Sequence, residues 1–247
     1  MSSEARWPCR QCGVLILITL VYSWASPFTD STTTTGWRIL WGPGRATAYS
    51  ASGPDSLVIF KNQDTRNGAS KNAGSWDVNK YKMASIAGPL VSFQHTYESH
   101  GSANQGNEGD EFITIDLSQG GARIALGDVF TESDILSRLL NDQFVAKNVR
   151  STPVDLSALF EQIGSGCEML MNSGDILKSF AFHHVKDSLV AVRLGIPHKC
   201  DITQGTFTQL GLYFAIPDTL RNALKTASKN RTLLESMKKR NQGIKGN

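Results

Sequence analysis

The chain has 247 residues, of which 40% are hydrophobic and 19% are charged, with 25 basic and 22 acidic side chains. These proportions exclude a wholly disordered chain, because disordered chains have few apolar residues and strongly unbalanced charge. The formal net charge of +3 is too small to indicate a nucleic-acid-binding protein, so we expect no nucleic-acid partner. The length suffices for one large domain or two small ones.

The first 25 residues have the pattern of a secretory signal peptide. Arg6 and Arg10 precede an uncharged apolar stretch over residues 13–22, and small residues around Ala25 follow it. This order predicts cleavage near Ala25 and export to the periplasm, the cell surface or the medium. The apolar stretch is only about half as long as the ~20 residues that span a bilayer. An uncleaved anchor and a buried N-terminal helix remain as alternatives, and we expect membrane contact only through an uncleaved signal.

The mature chain is predicted to contain a polar linker, one domain and a tail. Residues 26–36 are rich in Ser and Thr, a composition that is too polar to fold alone. The domain is placed over residues 37–227. Residues 228–247 are basic and are predicted to form a frayed tail.

Within the domain, the spacing of apolar residues predicts strands in the middle and in the last third, with helices between them. The predicted strands are residues 56–60, 86–97, 111–117, 123–126, 180–184, 188–194 and 207–216. One helix is capped by Thr131 or Ser133 and continues to Phe144, a second covers residues 154–163, and a third follows Pro217. We therefore expect an α+β fold, with two to three helices packed on one face of an antiparallel sheet.

Three stretches of the chain carry a resemblance to a known family. They are residues 86–93, residues 112–130 and residues 180–182. In this order they resemble the exported domain that is shared by lysozyme-responsive anti-sigma factors (RsiV-like) and by some exported peptidoglycan deacetylases, over residues 80–227.

The resemblance implies an α+β domain with helices against an antiparallel sheet. In the deacetylases this domain accompanies a separate catalytic domain, whose signature the sequence lacks, so the resemblance implies a binding or accessory module. The family often has a histidine after its first strand, where this chain has Asn104. The chain therefore lacks the family's histidine at this position.

Cys167 and Cys200 are the cysteines that follow the predicted signal. In an oxidising compartment such a pair predicts a disulfide. Free thiols are one alternative, and a zinc site that combines Cys200 with His183, His184 and His198 is another. The spacing matches no standard zinc pattern, and adjacent histidines in a strand are expected to point to opposite faces. We expect no metal and no other cofactor.

The loop over residues 99–111 is the most unusual polar segment. We select five candidate partner-binding residues in it, namely His100, Asn104, Glu108, Asp110 and Glu111. Loops held by a rigid sheet commonly carry recognition. A solvated hairpin loop and a calcium site built from its oxygen atoms are the alternatives.

These patterns favour an exported, non-enzymatic binding or accessory domain that contacts a protein or a cell-envelope component. One alternative is a cell-wall glycan hydrolase or a deacetylase-type enzyme, and another is a structural secreted protein without a specific ligand. A hydrolase needs two carboxylates that face each other across a cleft. The available carboxylates are Asp110, Glu111, Asp116 and Asp128, and their spacing selects no pair, so no catalytic residue is predicted. The sequence predicts no oligomeric state.

We expect Cys167 and Cys200 to form a disulfide in the exported protein, which would close a loop of roughly 33 residues. Intact-mass analysis without reductant should show no cysteine that reacts with an alkylating agent. Cys200→Ala should lower the free energy of unfolding by about 2–5 kcal/mol, because the unfolded chain regains conformational freedom. Two alkylated cysteines in the folded, exported protein would contradict this pairing.

Overall fold

The computed structural model describes residues 30–34, 36–65, 75–100, 106–164, 173–196 and 207–243. Three antiparallel sheets of four, five and three strands dominate it, and the structure is 47% strand and 30% helix. The predicted α+β fold, one antiparallel sheet with two to three helices on one face, is therefore wrong. The chain is β-rich with short helices, and its central sheet is covered by the other two sheets.

The first sheet is a four-stranded meander. Its strands are β1 (Asp30–Thr34), β2 (Trp37–Gly42), β3 (Arg45–Ser50) and β4 (Ser56–Lys61). One face buries Ile39, Trp41 and Phe60. Strand β1 lies within the predicted linker, residues 26–36. Its consecutive threonines are β-branched and pair along β2, which explains why this polar segment is extended and ordered against a neighbour.

The second sheet has five strands in sequential order. Its strands are β5 (Gln63–Asp64), β6 (Trp76–Ala87), β7 (Leu90–His100), β8 (Gly106–Asp116) and β9 (Ala122–Arg123). Strands β6, β7 and β8 form a long meander that is central to the fold. We call residues 83–93 and 112–117 its buried end, and residues 76–82, 94–100 and 106–111 its open end.

The buried end of the meander is covered on both faces. On one face, Ile86, Val91 and Ile115 pack in a common core with the first sheet. On the other face, Ser92 and Thr114 are fully buried, and their hydroxyl oxygens lie 2.9 Å apart. At the open end, the side chains of β6 and β7 are exposed or half-buried except for Val78, so most of this end extends beyond the surfaces that cover the rest.

The third sheet is bound to this second face. Its strands are β10 (Phe180–Lys186), β11 (Leu189–Ile196) and β12 (Thr208–Ala215). The Thr114 hydroxyl donates to the Phe180 carbonyl at 2.5 Å, and the Phe112 amide donates to the Ser179 hydroxyl at 3.0 Å. These buried hydrogen bonds fix the position of β10 relative to β8, because leaving any of these groups unpaired costs about 1–3 kcal/mol.

Six short α-helices lie in the described ranges, and the first five contribute to the largest apolar core. They are α1 (Glu132–Leu140), α2 (Gln143–Asn148), α3 (Leu156–Gly164), α4 (Ser173–Leu177), α5 (Arg221–Lys229) and α6 (Leu234–Gly243). Thr131 caps α1 by accepting from the Asp134 amide, and Ile135 and Leu139 are fully buried on its inner face. None of the helices in the described ranges is both long and apolar enough to cross a membrane.

The C-terminal segment closes the free edge of β6. The Ile86 amide donates to the Thr232 carbonyl, and the Thr232 hydroxyl donates to the Ile86 carbonyl, both at 2.8 Å. Helix α6 then buries Leu234 and Met237. The predicted frayed tail over residues 228–247 is therefore folded as far as residue 243, because two of its apolar side chains find core positions far away in sequence.

Gly88, in the turn between β6 and β7, is predicted to resist substitution. Its φ of +63° is unfavourable for other residues, and a Cβ atom there would lie 2.8 Å from the Cβ of Ala223. Gly88→Ala should lower the free energy of unfolding by roughly 2–3 kcal/mol, from backbone strain and the steric clash together. Urea denaturation measures the change.

Two other glycines separate these contributions. Gly120 has a φ of +68°, and a Cβ atom there would have no neighbour within 4 Å. Gly120→Ala should therefore lower the free energy of unfolding by only about 1 kcal/mol, from backbone strain alone. Gly127 has neither a positive φ nor a close neighbour, and Gly127→Ala should change stability by less than about 0.5 kcal/mol. If Gly88→Ala and Gly120→Ala lower the free energy of unfolding equally, the contact with Ala223 adds no steric cost.

Candidate functional site

The open end of the central meander carries a polar network across its three strands. Tyr81 lies directly opposite His95, and His95 lies directly opposite Glu111. Directly opposed residues of antiparallel strands share one face of the sheet. The register therefore brings a phenol, an imidazole and a carboxylate into a single row.

Glu111 is the centre of the hydrogen-bonding network. One of its carboxylate oxygens lies 3.1 Å from His95 Nδ1, and the other accepts from the Arg123 guanidinium at 2.7 Å. The second ring nitrogen of His95, Nε2, lies 2.8 Å from the side-chain oxygen of Asn79. The Tyr81 ring stacks on the imidazole with a centroid separation of 4.5 Å and an interplanar angle of 10°. The imidazole is thus held on both nitrogens and on one face.

The network shifts the pKa values of its acidic groups. Burial raises the pKa of Glu111, but hydrogen bonds and charges from His95 and Arg123 outweigh it, so the pKa lies below its ordinary value. Burial, followed by the negative charge of Glu111, raises the pKa of Tyr81 and of Tyr97. At neutral pH the site therefore contains an ionised carboxylate beside two protonated phenols.

Aromatic side chains connect this network to the core. Phe60 of the first sheet stacks on Tyr81 at 5.7 Å and contacts Phe93 at 5.3 Å. Tyr97 continues the row beyond His95, at 5.5 Å. Gly109, opposite Tyr97, provides the space for the phenol, because a Cβ atom there would overlap the Tyr97 hydroxyl. The polar groups are consequently supported by buried rings.

A cavity of about 480 Å³ opens beside this network. It is lined mostly by polar side chains of β6, β7, β8 and the α4 region. The lining residues are Asp77, Asn79, His95, Tyr97, Glu98, Ser99, Asp110, Glu111, Asp175, Ile176 and Ser179. Five of these are carboxylates, and we call this space the acidic cavity. Carboxylate oxygens accept hydrogen bonds and attract positive charge, so the acidic cavity suits a cationic or hydrogen-bond-donating group.

The structure brings four of the five predicted partner-binding residues to the same end of the sheet. Asp110 and Glu111 line the acidic cavity, and Glu108 is exposed on the same strand. His100 ends β7, where its ring stacks on Trp76 at 5.8 Å. Asn104 lies outside the described residues.

Several other predictions fall outside the described residues. They concern the signal peptide over residues 1–25, the cysteines Cys167 and Cys200, and His198. The disulfide and the export signal stay predictions.

Sequence reasoning missed the residues that share the cavity with Asp110 and Glu111. No role in a site is predicted from the sequence for His95, Asn79 or Asp77. Their position depends on cross-strand register, which local patterns do not reveal. One signal was available in the sequence. A histidine lies in one predicted strand, and Glu111, preceded by Asp110, begins the next.

The carboxylates considered for a hydrolase are engaged in other contacts. Asp116 accepts hydrogen bonds from the Ser118 amide, the Ser118 hydroxyl and the Gln119 side chain, at 2.6–2.9 Å. Asp128 accepts from the Ala125 amide at 2.7 Å. Both therefore stabilise turns.

The remaining two candidates, Asp110 and Glu111, are neighbours on one strand, with different hydrogen-bond partners. Asp110 accepts from Gln94 at 2.9 Å and from Thr96, whereas Glu111 contacts His95 and Arg123. Successive strand residues point to opposite faces. The two carboxylates therefore do not face each other across a cleft.

The prediction that His183 and His184 point to opposite faces is wrong. The register between β10 and β11 shifts between Phe182 and His184, which leaves His183 as an extra, bulged residue. A bulge interrupts the alternation of side chains. The Nδ1 atoms of the two imidazoles consequently lie 2.7 Å apart.

No protein-family model matches the chain, and no match was found among the curated proteins or the solved structures.

Glu111→Gln should destabilise the protein at neutral pH by about 1–2 kcal/mol, because the charge-assisted hydrogen bonds to His95 and Arg123 are weakened. The lowered pKa of Glu111 sets the pH dependence. Its stabilising contribution is complete above the ordinary pKa, near 4.5, and is lost as the pH falls through the lower folded-state pKa. Urea denaturation of both proteins at pH 7 and at progressively lower pH tests this.

The matched control is Glu108→Gln, a change of an exposed residue on the same strand. It should alter the free energy of unfolding by less than about 0.5 kcal/mol, both at pH 7 and at lower pH. A constant difference between wild type and Glu111→Gln across the acidic range would contradict the proposed role of the ionised carboxylate.

Proposed function

We propose that the protein is an exported, non-enzymatic binding domain whose acidic cavity receives a cationic side chain from a basic protein partner of the cell envelope. The observation that carries this proposal is the cavity itself, whose lining includes five acidic residues, four on the open end of the meander and one on α4. A lysine or arginine side chain carries the complementary charge and the donors that such a lining accepts.

The rigidity of the lining supports a recognition role. Both ring nitrogens of His95 are engaged, and Glu111 is held by two partners on different strands. Preorganised groups bind with a smaller entropic cost than groups that must be ordered on binding. The aromatic row behind the network adds to this order.

The environment of His95 favours binding over nucleophilic catalysis. A Glu–His pair activates a nucleophile only when a hydroxyl or thiol lies at the second ring nitrogen. The amide oxygen of Asn79 occupies that position. An amide side chain is not a nucleophile of this kind, so the imidazole is used as a fixed part of the lining.

The identity of the partner rests on the sequence. The signal-like segment supports export, and the RsiV-like resemblance supports a wall-associated protein of the lysozyme class as the first candidate. Such enzymes present basic surfaces, which complement the exposed acid Glu108 and the cavity acids Asp110 and Glu111. Complementary charge mainly raises the association rate and weakens with salt.

The experiment measures binding of a purified basic lysozyme-type enzyme to the mature protein, by surface plasmon resonance at low and moderate salt. The triple variant Glu108→Gln, Asp110→Asn, Glu111→Gln removes three negative charges at the cavity. It should slow association at least about tenfold at low salt, with a smaller effect at moderate salt.

The control removes three charges elsewhere. Glu132→Gln, Glu161→Gln and Asp187→Asn alter exposed positions on α1, on α3 and in the β10–β11 turn, and should leave binding nearly unchanged. Equal effects of the two triple variants would show that only net charge matters. Unchanged affinity in the cavity variant would remove the cavity from the binding site. If the protein hydrolyses wall glycan and substitution of one pair of carboxylates abolishes that activity, the non-enzymatic proposal is overturned.

A further inference from the structure

The bulge in β10 creates a second cluster of side chains, separate from the acidic cavity. His183 and His184 are consecutive, yet the bulge turns their imidazoles toward each other. Glu235 of α6 contributes a carboxylate, and one ligand atom from each of the three residues lies within 4.8 Å of the others. Both histidines are half-buried and Glu235 is exposed, so the cluster is reachable from solvent.

The contact between the two imidazoles has a chemical consequence. Their Nδ1 atoms are 2.7 Å apart, and each nitrogen carries either a proton or a lone pair. Such a contact is favourable when one proton lies between the nitrogens. A Lewis acid that accepts both lone pairs can take the place of that proton.

We propose that His183, His184 and Glu235 form a binding site for a divalent transition-metal ion, of which Zn²⁺ is the representative. Two imidazoles and one carboxylate, completed by water, are a ligand set that zinc adopts in proteins. Imidazole selects zinc, nickel and copper over magnesium and calcium, which prefer oxygen ligands.

The geometry requires only small side-chain adjustments. Tetrahedral coordination at ordinary zinc–nitrogen distances places two ligand nitrogens about 3.3 Å apart, a little more than the present separation. Rotation of the rings opens this distance, and Glu235, on the exposed side of a helix, closes toward the ion. The Tyr213 hydroxyl lies 3.4 Å from Nε2 of His184. A partner on the second ring nitrogen orients a metal-binding histidine.

The surrounding charges set the strength of the site. The positive charge of Arg193 acts on His183. The positive charge of Lys238 also lies near His183. Glu235 forms an ion pair with Lys239, at 3.8 Å. These cations oppose a divalent ion, so we expect micromolar affinity instead of the tighter binding of a structural zinc site.

The test titrates Zn²⁺ into untagged, chelator-treated protein in which any free thiol has been blocked by alkylation, in competition with a chromophoric chelator. Wild type should bind one equivalent, and millimolar Mg²⁺ or Ca²⁺ should not displace it. The double variant His183→Asn, His184→Asn should weaken binding at least about tenfold, and Glu235→Gln about threefold or more.

Glu132→Gln is the matched control for Glu235→Gln, because both residues are exposed acids in the first turn of a helix. It should leave the affinity for Zn²⁺ unchanged. Circular dichroism shows whether the histidine variant folds, and Glu235→Gln tests the proposal independently if it does not. Absence of zinc binding by wild type, or wild-type affinity in the folded double variant or in Glu235→Gln, would overturn this site.

Discussion

The burial of one end of the β6–β7–β8 meander on both of its faces is the constraint on which the rest of the structure depends. Apolar residues such as Val91 contact the first sheet, and the Thr114 hydroxyl binds the third sheet through the Phe180 carbonyl. Because the strands are eleven or twelve residues long, this fixed end leaves a second end that extends past both neighbours. The acidic cavity lies at that second end. Several acidic residues can therefore share this end of the sheet, because the packing energy that holds the strands in register comes from elsewhere in the molecule.

Local patterns predicted the elements that carry strong periodicity. The strand at residues 111–117, the helix capped by Thr131 and the three late strands have counterparts in the structure. The strand predicted over residues 86–97 is instead divided by the turn at Gly88 into the end of β6 and most of β7. The α+β architecture was wrong because residues 37–61 form a separate sheet, which buries one face of the central meander. Strand β1 was missed for a related reason, since its threonines are stabilised by pairing with β2 and not by their own hydrophobicity.

Side-chain constellations were harder to predict than elements, because both clusters depend on register. Asp110 and Glu111 were recognisable from loop composition, whereas His95 joins them only because it lies opposite Glu111. The pairing of His183 with His184 needs a shift of one residue between β10 and β11, for which the sequence has no distinct signal. Regular pairing thus builds the acidic cavity, and a local departure from it builds the imidazole pair.

The two hydrogen bonds between Ile86 and Thr232 connect positions 146 residues apart. During synthesis, β6 emerges from the ribosome long before the segment that covers its edge. For that interval the nascent chain exposes an unsatisfied strand backbone together with the apolar surface that Met237 later contacts. Such edges favour pairing with other chains, and contacts of high sequence separation form slowly. The native state of this protein is thus completed only after translation of its C-terminal helices.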